Sequence, residues 1–466
     1  MATMKENSLR VLMLPWLGYG HISPFLELAK KLSSKNFFIY FCSTPINLTS
    51  IENKLSPTDL SCIQLVELNL PSSPELPPHC HTTNGLPSHL HPKLFQAFDE
   101  SKPEFSNILE TLKPDLVIYD SHQTWVSEVS SSHHIPAIYF HTSSATSKSF
   151  FYYAFKNRGS GLPFPSSVVS LRPAEIQKMI AAAPIDAGKT TEDDDPFLSC
   201  IAKSFGFMLI KSCNDIEEKY INYMSILTNK RVVPVGVLSY HEECEEAGHD
   251  KEMMKWLDSK EKASTVYVSF GSETFLSEKE IEELAFGLEI SNVNFIWVIR
   301  FPGEAEKIKI EEVLPEGFVD RVKGRGIIVE GWAPQDKILG HSSTGGFVSH
   351  CGWSSVTESL SHGVPIIGLP MNFDQPLNCR MVAELGAGLE IEKDGKLEFQ
   401  RAEVARVIKE VVNGDSTVRK TAKELSENIK MNEAEVISVA VEEIKNVLRQ
   451  DLKLGKKSRQ KSFMLL

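Results

Sequence analysis

The sequence has no long apolar run, no excess of basic residues and no paired spacing of cysteines. No uninterrupted hydrophobic stretch approaches the roughly 20 residues that a membrane-spanning helix needs, so we expect no membrane span. A formal net charge of −12 at pH 7 argues against a nucleic-acid partner held through its phosphates. The eight cysteines are scattered rather than spaced as a disulfide framework, which indicates reduced thiols and a cytoplasmic protein.

A dinucleotide fingerprint is also missing. No Gly-x-Gly-x-x-Gly opens the first strand–helix unit, which argues against a nicotinamide-dependent dehydrogenase. The chain of 466 residues is too long for one typical hydrophobic core, so two or three domains are expected.

Short apolar runs alternate with amphipathic stretches along most of the chain. "LRVLML" precedes "ISPFLELAKKLSS", "DLVIYD" precedes "TWVSEVSSSH", and the alternation restarts at "STVYVSF". This alternation predicts two doubly wound α/β domains, each with a parallel sheet, that face each other across a cleft. We expect them at 1–240 and 253–445, joined by an acidic linker at 241–252. A tail follows at 446–466, for which packing back on the first domain is one alternative.

The segment "FVSHCGWSSVTES" runs from a buried strand into a helix that starts near Gly352. The free N–H groups and positive end of a helix attract anions, and Gly352 permits close approach of the backbone. The side chains of His350, Ser354 and Ser355 can add donors to phosphate oxygens, and Glu358 can accept from ribose hydroxyls. From these residues alone, a helix that is merely capped is an equal alternative.

Two flanking motifs offer groups that can bind the base and the sugar of a nucleotide sugar. Upstream, "GWAPQDKIL" offers the aromatic plane of Trp332 for a uracil, with Gln335 beside it. Downstream, "PMNFDQP" places Asp374 and Gln375 after a strand, where adjacent polar groups can bind vicinal hydroxyls. Together the three motifs predict a nucleotide-sugar site.

The stretch "WAPQDKILGHSSTGGFVSHCGWSSVTESLSHGVPIIGLPMNFDQ" closely resembles the signature box of plant UDP-sugar-dependent glycosyltransferases, and the resemblance extends over nearly the whole chain. It implies the two-domain GT-B fold, with the UDP-sugar on the C-terminal domain and the acceptor on the N-terminal one. The donor-binding residues that the resemblance implies are Ser272, Trp332, Ala333, Gln335, His350, Gly352, Trp353, Ser354, Ser355, Glu358, Asp374 and Gln375.

The resemblance also assigns roles within this set. Trp353 would line the sugar, and Ser272 in "VSFGSE" would contact the diphosphate. One position departs from the pattern, because family members usually carry Asn where this chain has Ser354. A serine hydroxyl is shorter and offers one donor instead of two, so we expect water to bridge it to the phosphate.

The N-terminal half is expected to supply the catalytic base. "LPWLGYGHISP" predicts a strand end, a Gly-rich turn with His21, and a helix that starts near Ser23–Pro24. Histidine suits proton abstraction near neutral pH when a carboxylate orients it, and Asp120 ends the strand "DLVIYD" at the same sheet edge. A turn histidine and a strand-end aspartate without catalytic roles are the alternative. The family pattern of a base histidine and partner aspartate at these places favours catalysis.

The implied mechanism is a single displacement that inverts the anomeric carbon and requires no metal or other cofactor. Two metal sites are weaker alternatives. The D-x-D within 192–196 follows no strand and is typical of an acidic loop. The cluster within 78–92 fits no standard zinc spacing; its members are His79, Cys80, His81, His89 and His91.

UDP-glucose is the expected donor, because Asp374 would repel a donor carboxylate and Gln375 resembles the usual residue of glucose users. The stretches "FCSTPINL" and "SSPELPPHCHTTNGLP" resemble the subgroup that adds a sugar to the sugar of an existing glycoside. Flavonoid, terpenoid and lignan glycosides all stay open as acceptors. The alternatives are an aglycone acceptor, a UDP-sugar epimerase and a non-catalytic UDP-sugar-binding protein. We expect a monomer.

Overall fold

The computed structural model describes residues 8–156, 162–182, 196–239, 248–272, 274–301, 310–412 and 416–463. Within these ranges the chain forms two sheets flanked by helices. The strands of the first sheet are β1 (Leu9–Leu14), β2 (Phe37–Ser43), β3 (Ile63–Glu67), β4 (Leu116–Tyr119), β5 (Ala137–His141), β6 (Phe207–Ile210) and β7 (Arg231–Pro234). Those of the second are β8 (Thr265–Ser269), β9 (Asn294–Ile299), β10 (Gly326–Glu330), β11 (Thr344–Ser349), β12 (Ile366–Gly368) and β13 (Gly388–Glu390).

Nineteen helices are described between and after these strands, besides two short 3-10 turns at Pro78–Cys80 and Ser88–Leu90. Those up to the second sheet are α1 (Tyr19–Ser33), α2 (Pro45–Glu52), α3 (Pro57–Leu60), α4 (His91–Glu100), α5 (Lys102–Leu112), α6 (Val126–Ser132), α7 (Ala145–Lys156), α8 (Pro173–Ala182), α9 (Pro196–Lys203), α10 (Asn214–Thr228) and α11 (Gly248–Asp258). The later ones are α12 (Glu278–Ser291), α13 (Ile310–Val313), α14 (Phe318–Arg321), α15 (Gln335–Gly340), α16 (Trp353–His362), α17 (Gln375–Glu384), α18 (Arg401–Val412) and α19 (Thr417–Phe463).

Both sheets are doubly wound, as the alternation of strands and helices predicts. The first has the order β3-β2-β1-β4-β5-β6-β7 and the second the order β10-β9-β8-β11-β12-β13, and every described strand pair within them is parallel. Helices cover both faces of such sheets, so β2, β4, β5 and β6 are buried along their whole length. These strands are therefore apolar along nearly their whole length and do not alternate between apolar and polar residues.

The strand order reverses between β1 and β4 in the first sheet and between β8 and β11 in the second. Connections leave in opposite directions at such a point and open a crevice at the carboxyl ends of the strands. His21 and Asp120 follow β1 and β4, while Ser272 and His350 follow β8 and β11. The winding of each sheet therefore brings polar residues to its own crevice.

The sequence predicts the local limits of α16 and α12 correctly. Gly352 is the N-cap of α16, and Gly363 ends it with a φ of +71°, a conformation that glycine adopts without strain. Ser277 and Glu280 form the expected capping box of α12.

The expected start of the first helix is wrong. Helix α1 begins at Tyr19 rather than near Ser23–Pro24, so His21 lies in its first turn. The Gly18 carbonyl already accepts from the N–H groups of His21 and Ile22. Pro24 is tolerated inside α1, where it removes only the bond to the Gly20 carbonyl.

The long helix α19 packs on both sheets. Its N-terminal turns contact the second domain, where Ala422 and Ile429 lie in a core cluster together with residues of α16. Residues Ile437, Ala440 and Val441 lie instead in the core of the first sheet, and so does Leu448 of the tail expected at 446–466. Of the expected linker at 241–252, residues 241–247 lie outside the described residues and 248–252 begin α11. No helix in the described part of the chain is both long and apolar enough to cross a membrane.

Candidate active site

His21 and Asp120 form a close pair at the crevice of the first sheet. Nδ1 of His21 lies 2.8 Å from Oδ2 of Asp120, with the histidine side chain 28% exposed and the aspartate fully buried. The backbone N–H of Trp16 donates to the same carboxylate oxygen at 3.1 Å, and that of Ser121 donates to the other at 2.6 Å. The carboxylate is therefore fixed by the backbone, and Nε2 is the ring nitrogen of His21 that faces away from it.

The electrostatics of the pair keep Asp120 charged. Burial by itself raises the pKa of Asp120, but the charge and hydrogen bond of His21 outweigh it and lower the pKa from 3.8 to about 2. An ionised carboxylate stabilises the imidazolium that forms when a histidine takes up a proton. The arrangement is therefore able to support a general base.

An aromatic cluster lies beside this pair. The ring of Trp16 stacks on Phe95 with centroids 4.2 Å apart, and His122 lies 5.1 Å from Trp16, 5.2 Å from Phe95 and 5.6 Å from His21. Phe95 is 36% exposed, so the cluster presents an aromatic face to solvent next to the histidine. Sequence reasoning missed it, although "KLFQAF" already shows aromatics on a helix near the N-terminal crevice.

The residues expected to bind the nucleoside lie together on the second domain. Trp332 follows β10 and is 57% exposed, while Ala333 beneath it is buried. Nε2 of Gln335 donates to Oε2 of Glu358 at 2.5 Å. Burial raises the pKa of Glu358, although the bond from Gln335 opposes this. The exposed indole and the paired polar groups suit a base and a ribose, respectively.

His350 is held between two glycines next to the start of α16. A Cβ at Gly271 would come within 2.8 Å of the His350 ring, and one at Gly352 within 2.5 Å, so both positions require glycine. The imidazole is 9% exposed, and burial lowers the pKa of His350 to about 4. Nδ1 has no hydrogen-bond partner among the described residues. In the tautomer that carries its proton on Nδ1, this neutral, buried nitrogen near the N-terminus of α16 can donate to a phosphate oxygen.

Ser354 and Trp353 contact the first domain. Nζ of Lys211 donates to Oγ of Ser354 at 2.8 Å, and Nε1 of Trp353 donates to the Lys211 carbonyl at 2.6 Å. Trp353 is thereby buried between the domains. Sequence reasoning missed Lys211, for which the signal was a lysine directly after the apolar run "FMLI".

The loop before α17 holds the two remaining candidates. Oδ2 of Asp374 accepts from Oγ of Ser143 at 2.8 Å and from Nδ2 of Asn378 at 3.1 Å. Oε1 of Gln375 accepts from two backbone N–H groups of its own loop, at 2.8 and 2.9 Å, so its carbonyl end shapes that loop. Ser272 is half-buried after β8, on the same domain. The loop carries Asp374 into contact with the N-terminal half.

The two crevices therefore meet. Ser143, which contacts Asp374, adjoins Thr142, whose Oγ1 lies 3.2 Å from Nδ1 of His21. The candidate base His21, a buried carboxylate and the candidate sugar-binding loop converge within one cleft. This is the composition that transfer of a group between two bound substrates requires.

No group of three or more potential metal ligands is found among the described residues. Within the histidine cluster at 78–92, Nε2 of His81 lies 3.3 Å from the backbone carbonyl of Leu76. The aspartates of the D-x-D motif lie outside the described residues.

Comparison with known proteins identifies the family. The family described as "UDP-glucoronosyl and UDP-glucosyl transferase" matches residues 229–453, and the family described as "Glycosyltransferase, N-terminal domain" matches 7–238. Mogroside IIIx synthase of Siraitia grosvenorii is 49% identical over 96% of this chain and 95% of its own. Beta-D-glucosyl crocetin beta-1,6-glucosyltransferase of Gardenia jasminoides is 50% identical over 88% of this chain and 90% of its own.

A solved structure agrees with these relatives. Phytolacca americana UGT2, complexed with UDP-2fluoro-glucose and pterostilbene, superposes with a TM-score of 0.76 and 26% identity, covering 95% of this chain and 100% of that one. Its fold has the same two facing α/β domains. The chain therefore belongs to the UDP-dependent glycosyltransferases of plants and is an enzyme with their GT-B fold.

Proposed function

We propose that this enzyme moves glucose from UDP-glucose to a sugar hydroxyl of a plant glycoside, with inversion and with His21 as the general base. The observation that carries the proposal is the 2.8 Å contact between Nδ1 of His21 and the carboxylate of the buried Asp120. This pair lies close to the loop of Asp374, because Thr142 contacts His21 and the next residue, Ser143, donates to Asp374. Glycosyl transfer requires a proton acceptor and a group that binds the donor sugar, and here His21 and Asp374 lie on opposite sides of one cleft.

The donor is held by the second domain in this proposal. Trp332 stacks on uracil, Gln335 and Glu358 bind the ribose hydroxyls, and the N-terminus of α16 takes the diphosphate with Ser355 and His350. The support comes from the burial of His350 with its unpartnered Nδ1, and from the hydrogen bond that joins Gln335 to Glu358.

The reaction then proceeds in one displacement. Nε2 of His21 takes the proton of the acceptor hydroxyl while its oxygen attacks the anomeric carbon from the face opposite UDP. The bond between that carbon and the phosphate oxygen breaks, and UDP leaves with the electron pair. An α-linked donor becomes a β-glycoside. The N–H groups of α16 stabilise the departing charge without reorganisation, and Asp120 stabilises the imidazolium.

Glucose is the proposed sugar because the loop that would hold it carries a carboxylate. Asp374 favours neutral hydroxyls and disfavours a donor carboxylate, and residues 15–25 contribute no Arg or Lys that would offset its charge. The name of the Gardenia relative as a glucosyltransferase supports the same donor.

A glycoside is the proposed acceptor because the surface beside His21 is aromatic. Stacked Trp16 and Phe95 offer a flat apolar face that matches the apolar face of a hexose ring, and the Gardenia relative is named for a glucosylated acceptor. An aglycone hydroxyl is the second candidate, since the same face also suits an aromatic aglycone. Flavonoid, terpenoid and lignan glycosides fit equally.

We further propose that the enzyme works as a cytoplasmic monomer. Both halves of the cleft come from one chain, so the site needs no second copy. The seven described cysteines are all unpaired, as thiols are in a reducing compartment.

Paired acceptors test the proposal. Purified enzyme is given equimolar UDP-glucose, UDP-galactose and UDP-glucuronate, with aglycones and their matched glucosides, and NMR assigns the anomeric configuration and linkage of each product. We expect β-glucosides of the glycosides, formed equally in EDTA. Higher kcat/KM on aglycones refutes the acceptor, success of another donor refutes glucose, and strict Mn²⁺ dependence refutes the metal-free displacement.

A further inference from the structure

Lys211 is a buried cation that the reaction described above does not use. It follows β6 at the carboxyl edge of the first sheet and is 2% exposed. Its Nζ donates to the neutral hydroxyl of Ser354 at 2.8 Å, and it forms no ion pair with any carboxylate that the structure describes. An ammonium group in such a place is costly unless an anion accompanies it.

The charges around Lys211 do not supply that anion. The carboxylates of Glu358 on α16 and Glu27 on α1 act on it electrostatically, yet burial outweighs them and lowers the pKa of Lys211 from 10.5 to about 8. Oε2 of Glu358 already accepts from Gln335, and Oε1 of Glu27 from Lys30. The ammonium group is therefore held at the start of α16 without a close counter-ion.

Two further features of the same place attract an anion. Helix α16 has ten residues and directs its free N–H groups toward the crevice. His350 is buried there with an unpartnered Nδ1. An oxyanion between these groups would also lie close to Ser354, the residue that Lys211 contacts.

We infer that Lys211 is a further donor-binding residue, whose ammonium group binds a phosphate oxygen of the UDP-sugar from the opposite domain. This inference rests on the diphosphate site of the proposed function. It explains the serine at position 354, because the lysine supplies the donor that the usual asparagine would provide. Lysine suits this role as a compact charge that binds phosphate without bidentate geometry.

The charge of Lys211 is expected to have opposite effects on the stability of the ligand-free enzyme and on its affinity for UDP. The unfolded chain keeps the lysine proton up to its ordinary pKa of 10.5, so the buried charge lowers the stability of the ligand-free fold at pH 7. This cost declines as the pH rises from about 8 to 10.5. A neutral substitute should therefore leave the ligand-free protein at least as stable while it weakens UDP binding.

Calorimetric titration with UDP and with uridine tests Lys211 directly. For Lys211→Met and Lys211→Gln we expect UDP affinity to fall about 10- to 100-fold, the usual range for a hydrogen bond to a charged group, and uridine affinity to stay unchanged. Lys211→Arg should retain most of the UDP affinity. Lys230→Met is the matched control, because Lys230 is a half-buried lysine of the same domain that caps the carbonyl of Ser204 instead.

The thermal midpoint of each ligand-free variant at pH 7 completes the test. A midpoint equal to or above that of the wild type supports the inference. Unchanged UDP affinity, or equal losses for UDP and uridine, overturns it, the latter because it marks a purely structural role at the domain contact. Failure of the diphosphate site itself has a different signature: Ser355→Ala would then bind UDP as tightly as the wild type.

Discussion

Oγ of Ser143 donates to Oδ2 of Asp374 at 2.8 Å, across the cleft between the two sheets. The preceding residue, Thr142, contacts the imidazole of His21 at 3.2 Å. Two consecutive residues thus connect the candidate base with the candidate sugar-binding carboxylate. The placement of these two candidate residues therefore depends on how the domains meet as well as on each domain alone.

His21→Ala should lower kcat by about 10²- to 10⁴-fold, the usual effect of removing a general base, and leave UDP affinity unchanged. The candidate base lies on the first domain, whereas the candidate nucleotide contacts other than Lys211 lie on the second, which is why the two readouts separate. His133→Ala is the control, since His133 is the C-cap of α6, before the start of β5, and its Nε2 lies 2.7 Å from Oγ of Ser106 instead. Near wild-type turnover of His21→Ala, measured by product formation, would refute the mechanism.

Asp120→Asn should cost less activity than His21→Ala, because in the proposed mechanism Asp120 orients the ring and does not accept the proton. It should also lower stability at pH 7 by about 2 kcal/mol, since the carboxylate has a pKa of about 2 in the fold against 3.8 ordinarily. This contribution is present above pH 3.8 and is lost as the pH falls toward 2. Thermal midpoints of both proteins should therefore converge on acidification, and a constant difference would contradict the assignment.

Ser354→Asn should strengthen UDP-glucose binding by less than about tenfold, or about 1.4 kcal/mol. The amide oxygen can accept from Lys211 while the amide N–H₂ donates to phosphate, and folding should tolerate the change because Ser354 is only half-buried. Ser355→Ala should weaken binding instead, because no neighbouring side chain replaces that hydroxyl. Calorimetry with UDP decides. Weaker binding by Ser354→Asn would mean that the serine itself is adapted to this site.

Glu217→Ala should destabilise the protein by about 3 kcal/mol. The carboxylate of Glu217 is fully buried and accepts from the N–H groups of Ala145 and Thr146, at 3.0 and 2.8 Å, where α7 begins. Its loss leaves these donors without a partner and loosens the loop of Thr142 and Ser143, so kcat should fall too. Glu218→Ala, an exposed neighbour, is the control in thermal unfolding and in activity. Equal midpoints for the two variants would refute the role.

Local features of this protein are predictable from its sequence. The limits of α16 follow from Gly352 and Gly363, and the apolar runs predict the buried parallel strands. Residues that follow parallel strands lie at the same edge of the sheet, the one formed by the carboxyl ends of the strands. His21 and Asp120 can therefore be paired from the sequence although 99 residues separate them.

Contacts between the domains could not be predicted. Lys211 and Ser354 are 143 residues apart, and Ser143 and Asp374 are 231 apart, on sheets whose relative placement no local pattern encodes. The predicted start of α1 is wrong for a local reason, because proline usually marks the first turn and here lies inside the helix.

The last helix determines when the first domain can finish folding during synthesis. Ile437, Ala440, Val441 and Ile444 of α19 fill the core of the first sheet, whose strands leave the ribosome long before them. The N-terminal half must therefore wait, with part of its apolar face uncovered, until residues 437–444 have been translated. For the same reason the halves are not interchangeable parts. A chimaera that joins residues 8–239 of one homologue to the remainder of another also exchanges part of the first domain's core, and needs matching side chains along α19.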